Sequence, residues 1–328
     1  MQTDIVIANS RAPARIAHWS LVGAKLAAAV QLGRPKFLAG GFASYALGTV
    51  IAHETSGVFD LRRCLVGQAV VSSLQLMTHY SNDYFDYEAD VANRTPTSWS
   101  GGSRILANAV LPRRFALYAA LFWALCAMGG MVWVRLLMTT SVVWWLMVAI
   151  LLLAWSYSAP PLQLHSRGVG EITASVIVAA LVPCLACVIQ TGSIAPVVVM
   201  AALPLILLQF VMLLVLSVPD RSGDLAVGKK TLSVRLGINC AGFLHQVALF
   251  TAFASVPVLW LWGLPASIAL AVLLPAPLAL IQVFAVARGA LHHSDAWPRL
   301  AFGSVALVFL TTIAEVLGAL FLRRGGPG

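Results

Sequence analysis

PVVVMAALPLILLQFVMLLVLSVPDRSGD, residues 196–224, runs a long, nearly unbroken apolar stretch straight into a paired acid. At about 1.5 Å of rise per residue, a helix over 196–218 crosses a hydrocarbon core of ~30 Å. Pro219 ends or kinks it. Asp220 and Asp224 follow four apart, on one helical face. Eight further apolar runs lie at about 37–52, 64–81, 115–134, 140–157, 172–190, 241–262, 264–287 and 300–322. The mean hydropathy is +0.88 and only 10% of residues are charged, which excludes an ordinary soluble domain. The runs are continuous and rich in Leu, Ala and Val, where a barrel would show short alternating strands. Helices satisfy their own backbone in lipid. The expectation is an all-α integral membrane protein, a bundle of about nine transmembrane helices. Residues 1–36 form a cytoplasmic or interfacial segment, and 37–328 a single transmembrane domain.

Residues 14–32 carry apolar residues broken by Arg15, His18 and Lys25, which predicts a helix lying in the membrane interface. Pro35 suits the first turn of the first span. The start MQTDIVIANSRAPAR lacks the apolar core and cleavage site of a signal peptide. Placing the N-terminus in the cytoplasm puts 16 of the 21 Lys and Arg on that side, as positive-inside bias requires. The same choice puts both acidic clusters on the cytoplasmic face. The net charge of +9 is then membrane bias and attraction to anionic headgroups, not a nucleic-acid surface.

The other acidic cluster, the first along the chain, is NDYFDYEAD, residues 82–90. Of 12 acidic residues, Asp83, Asp86, Asp90, Asp220 and Asp224 fall in the two clusters, with Glu88 beside the first. Asn82, Asp86 and Asp90 are four apart, and Asp83 is three before Asp86, so a continuing helix turns all four toward one cavity. Carboxylates concentrated at the edge of an apolar bundle point to a hard divalent cation. Magnesium takes one or two carboxylates and shares substrate phosphates. Basic residues accompany the clusters: Arg104 after the first, and Arg221, Lys229, Lys230 and Arg235 around the second. Arginine grips phosphate oxygens with parallel hydrogen bonds. Metal and base together imply a diphosphate.

Cys184 and Cys187 form a CxxC, but inside an apolar run, where they read as small core residues and not as a redox pair. His79 lies one turn before Asp83, placed to orient that carboxylate or simply to pack. His165, His245, His292 and His293 read as surface or packing residues. Glu315 is a lone acid in the last span, able to pair with an arginine or to line a cavity.

Asn82-Asp83-x-x-Asp86-x-x-x-Asp90 resembles the first aspartate motif of the UbiA superfamily of intramembrane prenyltransferases, and Asp220-x-x-x-Asp224 resembles the second. GKKTLSVRLG after the second motif, Arg34-Pro35 before the first span and YSAPP…RGVGE after the fourth are similar to family patterns too. The resemblance spans nearly the whole chain. It implies nine helices around a central cavity that opens sideways to lipid. It also implies magnesium-dependent transfer of an isoprenyl group, farnesyl or longer, from its diphosphate to an aromatic acceptor. In that scheme Asn82, Asp86, Asp90, Asp220 and Asp224 are metal ligands, and Arg34, Asn82, Arg104, Arg167, Arg221, Lys229 and Lys230 contact diphosphate. Asp83 joins the catalytic carboxylates. Tyr157, with Tyr84 and Tyr87, presents ring faces to the cation or anchors at the interface. Many family members carry a lysine after the tyrosine of the fourth loop, and here Arg167 stands in its region. NDYFDYEAD followed by SGGSRIL is nearer the dihydroxynaphthoate (menaquinone) and quinolone-prenylating branches. The partners implied are an isoprenyl diphosphate, an aromatic acceptor and the bilayer, in a bacterial-type inner or plasma membrane.

An ion-coupled transporter is the competing class, since acids in a helical bundle also relay ions. Transporters place such charges near the midplane on broken helices, whereas these acids sit at helix ends. A phosphatidyl- or glycosyl-transferase would also use Asp and magnesium, but with differently spaced motifs.

Overall fold

The computed structural model describes residues 23–322, and their regular structure is all helix, with no strand among them. Residues 23–32 form a helix. The longer elements follow as α1 (Pro35–Ser56), α2 (Leu61–Phe85), the short α3 (Tyr87–Ala92), α4 (Arg113–Leu137), α5 (Ser141–Ser158), α6 (Gly170–Thr191), α7 (Pro196–Ser217), the short α8 (Arg221–Ala226), α9 (Leu232–Leu261), α10 (Ala266–Ala287) and α11 (Trp297–Ala319). About nine spans were expected, and nine helices among the described residues run 18 residues or more, though length alone does not make each a span. Seven of them, α4, α5, α6, α7, α9, α10 and α11, are long and apolar enough to cross a membrane. α1 and α2 have the length, 22 and 25 residues. They fall short on composition, because they give polar side chains to the interior.

Prolines and glycines punctuate the helices as their backbone chemistry demands. Pro35 opens α1 at its first turn, after Arg34 in a left-handed conformation. α7 ends at Ser217, before Pro219, as expected. α6 widens into a π turn over Ile177–Leu181 just before Pro183, which has no N–H to give. α9 is broken at Gly237, whose φ of 74° no other residue adopts easily. The expected span at 241–262 is the part after this break. α10 is interrupted near Pro275.

The expected interfacial helix over 14–32 lies partly outside the described residues, as does the N-terminal stretch read for a signal peptide. Its described part, 23–32, does not stand free. Ala28 and Leu32 are buried against Tyr80, Ile105, Leu106 and Leu111. Tyr80 Oη donates to the Ala29 carbonyl at 2.9 Å.

Two apolar cores hold the long helices. One gathers Val70, Met77, Met131, Met147, Ile150 and Leu185 from α2, α4, α5 and α6. The other gathers Leu47, Ile51, Leu205, Val256, Ile268 and Ala319 from α1, α7, α9, α10 and α11. Cys184 and Cys187 are both buried in α6 as free thiols, in line with a packing role. α1 and α6 touch backbone to backbone at Gly48, where an added Cβ would overlap the Pro183 carbonyl. Glu315 is fully buried, both oxygens without a hydrogen-bond partner among the described residues, and lies outside the cavity wall. Replacing Gly48 with valine should push α1 from α6 and destabilise the fold by about 1–3 kcal/mol or more. The check is thermal unfolding in detergent, and an unchanged midpoint would show the contact is slack.

Candidate active site

The helix through the first motif continues to Phe85, breaks at Asp86 and restarts as α3. Asp90 N still bonds Asp86 O at 2.9 Å, so the four-residue spacing survives the break. Asn82, Asp86 and Asp90 consequently line one cavity with Asp220 and Asp224 from the end of α7 and from α8. The cavity, about 330 Å³, also receives Arg34, Tyr157, His165, Glu171 and Lys229. Deeper in, Val71, Leu74, Ile150, Ile177 and Val182 make its wall apolar.

Lys229 ties the two motifs together. Its Nζ lies 2.9 Å from Asp86 Oδ2 and 3.3 Å from Asp224 Oδ1. Asp86 Oδ1 meets His165 Nε2 at 2.5 Å, and His165 Nδ1 meets the Tyr157 carbonyl at 2.7 Å. The His165 ring is thereby held between a carboxylate oxygen and a backbone carbonyl. Asn82 Nδ2 donates to Asp86 Oδ2 at 3.0 Å and to Ser158 Oγ at 3.2 Å. The motif loops are also joined directly. Asn93 Nδ2 donates to Asp220 Oδ1 at 2.8 Å, and Thr95 Oγ1 donates to the Pro219 carbonyl at 2.9 Å. Gly223 lets α8 lie against α3, where a Cβ would come 2.7 Å from the Ala89 carbonyl.

These neighbours set the charges. Burial raises Asp86, but Lys229 and His165 outweigh it and hold the carboxyl well below the usual range. Burial lowers Lys229, but Asp86 and Asp224 keep it protonated. Of the cations, Asp90 feels only Arg34, which is paired with Asp83 and is outweighed. Burial and repulsion from Asp83, Asp86 and Asp220 push it up to about 8. Asp220 goes up to about 7, from burial and from Asp224.

Several expected residues stand elsewhere. Asp83 is off the cavity wall and 2% exposed. It is three residues from Asp86 yet turned into the protein, where Arg34 and Ser103 bond it. Arg34 reaches the cavity while committed to Asp83, and it also donates to Asn82 Oδ1 at 3.2 Å. Arg104 donates to the Asp90 carbonyl and lines a neighbouring pocket. Arg167 points to the Pro161 carbonyl at 2.7 Å, and Arg221 Nε donates to the Ser233 carbonyl at 3.3 Å. Lys230 follows the inward Lys229 and does not line the cavity. Tyr84 and Tyr87 face Arg113, whose guanidinium lies 4.8 and 5.0 Å from their rings. Tyr157 does line the cavity, stacked on His165 at 5.4 Å.

The profile of the UbiA prenyltransferase family matches residues 13–314. The chain belongs to that family. Among solved structures, this UbiA-family chain is similar to a UbiA homolog from Archaeoglobus fulgidus bound to DMAPP and Mg2+. The TM-score is 0.64 at 15% identity, covering 88% of this chain and 98% of that one. It is also similar to the apo form of a UbiA homolog from Aeropyrum pernix K1, with TM-score 0.60 and 15% identity over 86% and 96% of the two chains. A structure from work on digeranylgeranylglyceryl phosphate synthase gives 0.63 and 16%, over 90% and 99%. At such identities the likeness is one of fold. No curated protein sequence matches the chain.

Sequence reasoning missed three members of this UbiA-family site. His165 was read as a surface or packing residue and is instead buried against Asp86. Glu171 lines the cavity, 6% exposed, with Oε1 accepting from Leu232 N at 3.3 Å. Asn93 grips Asp220 from the other motif. The sequence signal for the first two was their place in the polar loop between two spans. His79 lines the cavity and does not orient Asp83.

Asp90 and Asp220 bind a proton more tightly folded than unfolded, where the ordinary value is 3.8. Between about pH 4 and 8 the folded state holds more protons, so stability falls as pH rises. Asp86, shifted down, changes stability only below that window. Metal-free protein should therefore melt at a lower temperature at about pH 8 than at about pH 5.5, and Asp90→Asn should flatten the slope. A melting point that climbs over this range would contradict the assignment. Asp83→Asn should cost about 2–3 kcal/mol by leaving Arg34 unpaired, less than a fully buried pair because Arg34 is 20% exposed. Lost turnover at unchanged stability would instead return Asp83 to the catalytic set.

Proposed function

We propose that the chain catalyses magnesium-dependent transfer of an isoprenyl group from its diphosphate to an aromatic acceptor, with release of diphosphate. The observation that carries this is the juxtaposition of both aspartate motifs, bridged by Lys229, at the mouth of one apolar cavity. A diphosphate at the mouth and a prenyl tail along Ile150, Ile177 and Val182 match its two halves.

The donor set suits magnesium. Asn82, Asp86, Asp90, Asp220 and Asp224 offer only oxygen ligands from their acids and one amide. Asp90 and Asp220 are crowded by like charge, which a cation relieves. Among the described residues no three His, Cys, Asp or Glu converge tightly enough to hold an ion alone. Magnesium tolerates this, because it keeps waters and shares phosphate oxygens. Bound there, it supplies neutralisation of charge on the leaving diphosphate.

This chain's own groups do the rest. Lys229 faces the same space and adds positive charge where the leaving group develops its own negative charge. As the allylic C–O bond breaks, the electron pair leaves with the diphosphate. The aromatic ring attacks the prenyl carbon and then loses a proton. Tyr157 presents an aromatic ring beside the reacting carbon. The apolar wall keeps water from intercepting the cation. The acceptor classes favoured by the motif pattern are dihydroxynaphthoate and quinolones, and the mouth faces the cytoplasm by the basic-residue bias. A transporter would hold its charges mid-bundle, whereas these sit at the ends of α2 and α7.

The test is purified protein with magnesium, farnesyl diphosphate and either 1,4-dihydroxy-2-naphthoate or 2-methyl-4-quinolone, with product and diphosphate both measured. Asp86→Asn and Asp224→Asn should each lower turnover more than about 100-fold while unfolding cooperatively. Chelation should abolish turnover and magnesium should restore it. Full activity in either variant would remove that carboxylate from the site.

A further inference from the structure

Below the charged mouth lies a second polar tier without charge. His79 and Gln75 precede Asn82 by three and seven residues on α2, about 5 and 10 Å deeper along the helix. Gln209 precedes Ser217 by eight on α7, about 12 Å in. All three line the cavity. Their hydrogen-bonding capacity is largely unspent. His79 Nε2 and Gln75 Oε1 are buried without a partner. The Gln75 amide makes one long bond, 3.4 Å, to the Phe37 carbonyl. Gln209 is 8% exposed and has no hydrogen-bond partner among the described residues. Native proteins leave few buried polar groups unbonded. In a membrane interior an apolar residue would be cheaper at each position. Three open polar side chains on two facing helices therefore mark a ligand's place.

The charges say which ligand. Three cations line the cavity, and each is committed at or near the mouth. Arg34 pairs with Asp83, and Lys229 with Asp86 and Asp224. Lys36 donates to the Ser98 carbonyl and lies 4.3 Å from the Trp99 ring centre. Arg34 does act on His79 from the mouth, but its charge is already committed to Asp83. His79 has no acid beside it and meets the Phe37 ring at 6.2 Å. A carboxylate in this tier would find each of these cations already committed elsewhere, which is unfavourable. A neutral ring carrying N–H, O–H or C=O groups would satisfy it.

We propose that Gln75, His79 and Gln209 form the acceptor subsite, and that the acceptor is an uncharged hydrogen-bonding aromatic of the quinolone or naphthol type rather than an aromatic carboxylate. The proposal rests on the prenyl-transfer reading and sharpens it. From this tier the ring lies one to two helical turns beneath the diphosphate, where the first prenyl carbon emerges.

With farnesyl diphosphate and magnesium fixed at about pH 7.5, 2-methyl-4-quinolone and 1,4-dihydroxy-2-naphthoate are compared as acceptors. The quinolone should be preferred in kcat/KM by at least about tenfold. Gln209→Leu and His79→Phe should each raise the quinolone KM about tenfold, with the donor KM within about twofold of wild type. His79→Gln, which keeps a donor and an acceptor, should recover most of the loss. Melting temperature and donor KM show that each variant is folded, and Gln75→Leu serves if either variant is not. Preference for the naphthoate, or a quinolone KM that none of these changes moves, overturns the subsite. Wild-type protein that binds donor but turns over neither acceptor also overturns it. Protein that does not bind the donor at all sinks the prenyl-transfer reading instead.

Discussion

Lys229 holds the two aspartate motifs in one place. Without a cation between them, Asp86 and Asp224 would face each other across a space of low dielectric, and repulsion would drive the ends of α2 and α7 apart. The ammonium between them turns that repulsion into a link between the two halves of the site. Its position follows from a local turn. Gly228 takes a φ of 74°, Lys229 N bonds the Asp224 carbonyl at 2.9 Å, and Lys230 N bonds the Ser166 carbonyl at 3.0 Å. The backbone is thereby fixed on both sides of Lys229, which sends one lysine of the pair inward and leaves its neighbour off the cavity wall.

Both motifs solve the same physical problem in the same way. A long apolar helix that simply continued would carry its acids round the full circumference at about 100° per residue, some toward lipid. Here each long helix stops where the acids begin, at Asp86 and just before Pro219, and restarts as a six-residue helix. The two short helices meet at Gly223 and Ala89, and Asn93 reaches across to Asp220. Charge is thus confined to the membrane edge and turned inward there. The unpaired tension that remains, on Asp90 and Asp220, is what a divalent ion would discharge.

The spans, the order of the motifs and the inward face of Asn82, Asp86 and Asp90 were legible because helical periodicity and apolar run length are local properties. Asp83 was not, because periodicity gives only an angular spread, and Ser103 from a distant loop decided which side of it Asp83 occupies. His165 and Arg167 show the same limit in a loop. Neither has a periodic neighbour, and the short turn at Leu164–Arg167 buries the histidine and sends the arginine to the Pro161 carbonyl. Basic residues near a motif in sequence were all reasonable phosphate ligands, yet reach is set by the turn at Gly228, and of the four after the second motif only Lys229 lines the cavity. Membrane spanning was clear for seven helices and weaker for α1 and α2, since polar residues that serve a cavity lower the very hydropathy by which a span is recognised.

That weakness is itself informative. Every helix in lipid pays for a polar side chain unless something answers it. α2 carries Gln75, Thr78, His79 and Asn82 on the cavity side of one helix, and Thr78 alone turns its hydroxyl back to its own backbone, at 2.8 Å from the Leu74 carbonyl. A mere space-filling wall for a hydrocarbon tail would be better built from aliphatic side chains, as the opposite wall of Ile150, Ile177 and Val182 is. The asymmetry of the cavity is what the proposed reaction would call for: a tail against α5 and α6, a polar ring against the amides of α2 and α7, and the bond-making carbon between them under the aspartates. A site with two polar tiers and one apolar wall is built to join a charged lipid to a neutral ring while water is kept out.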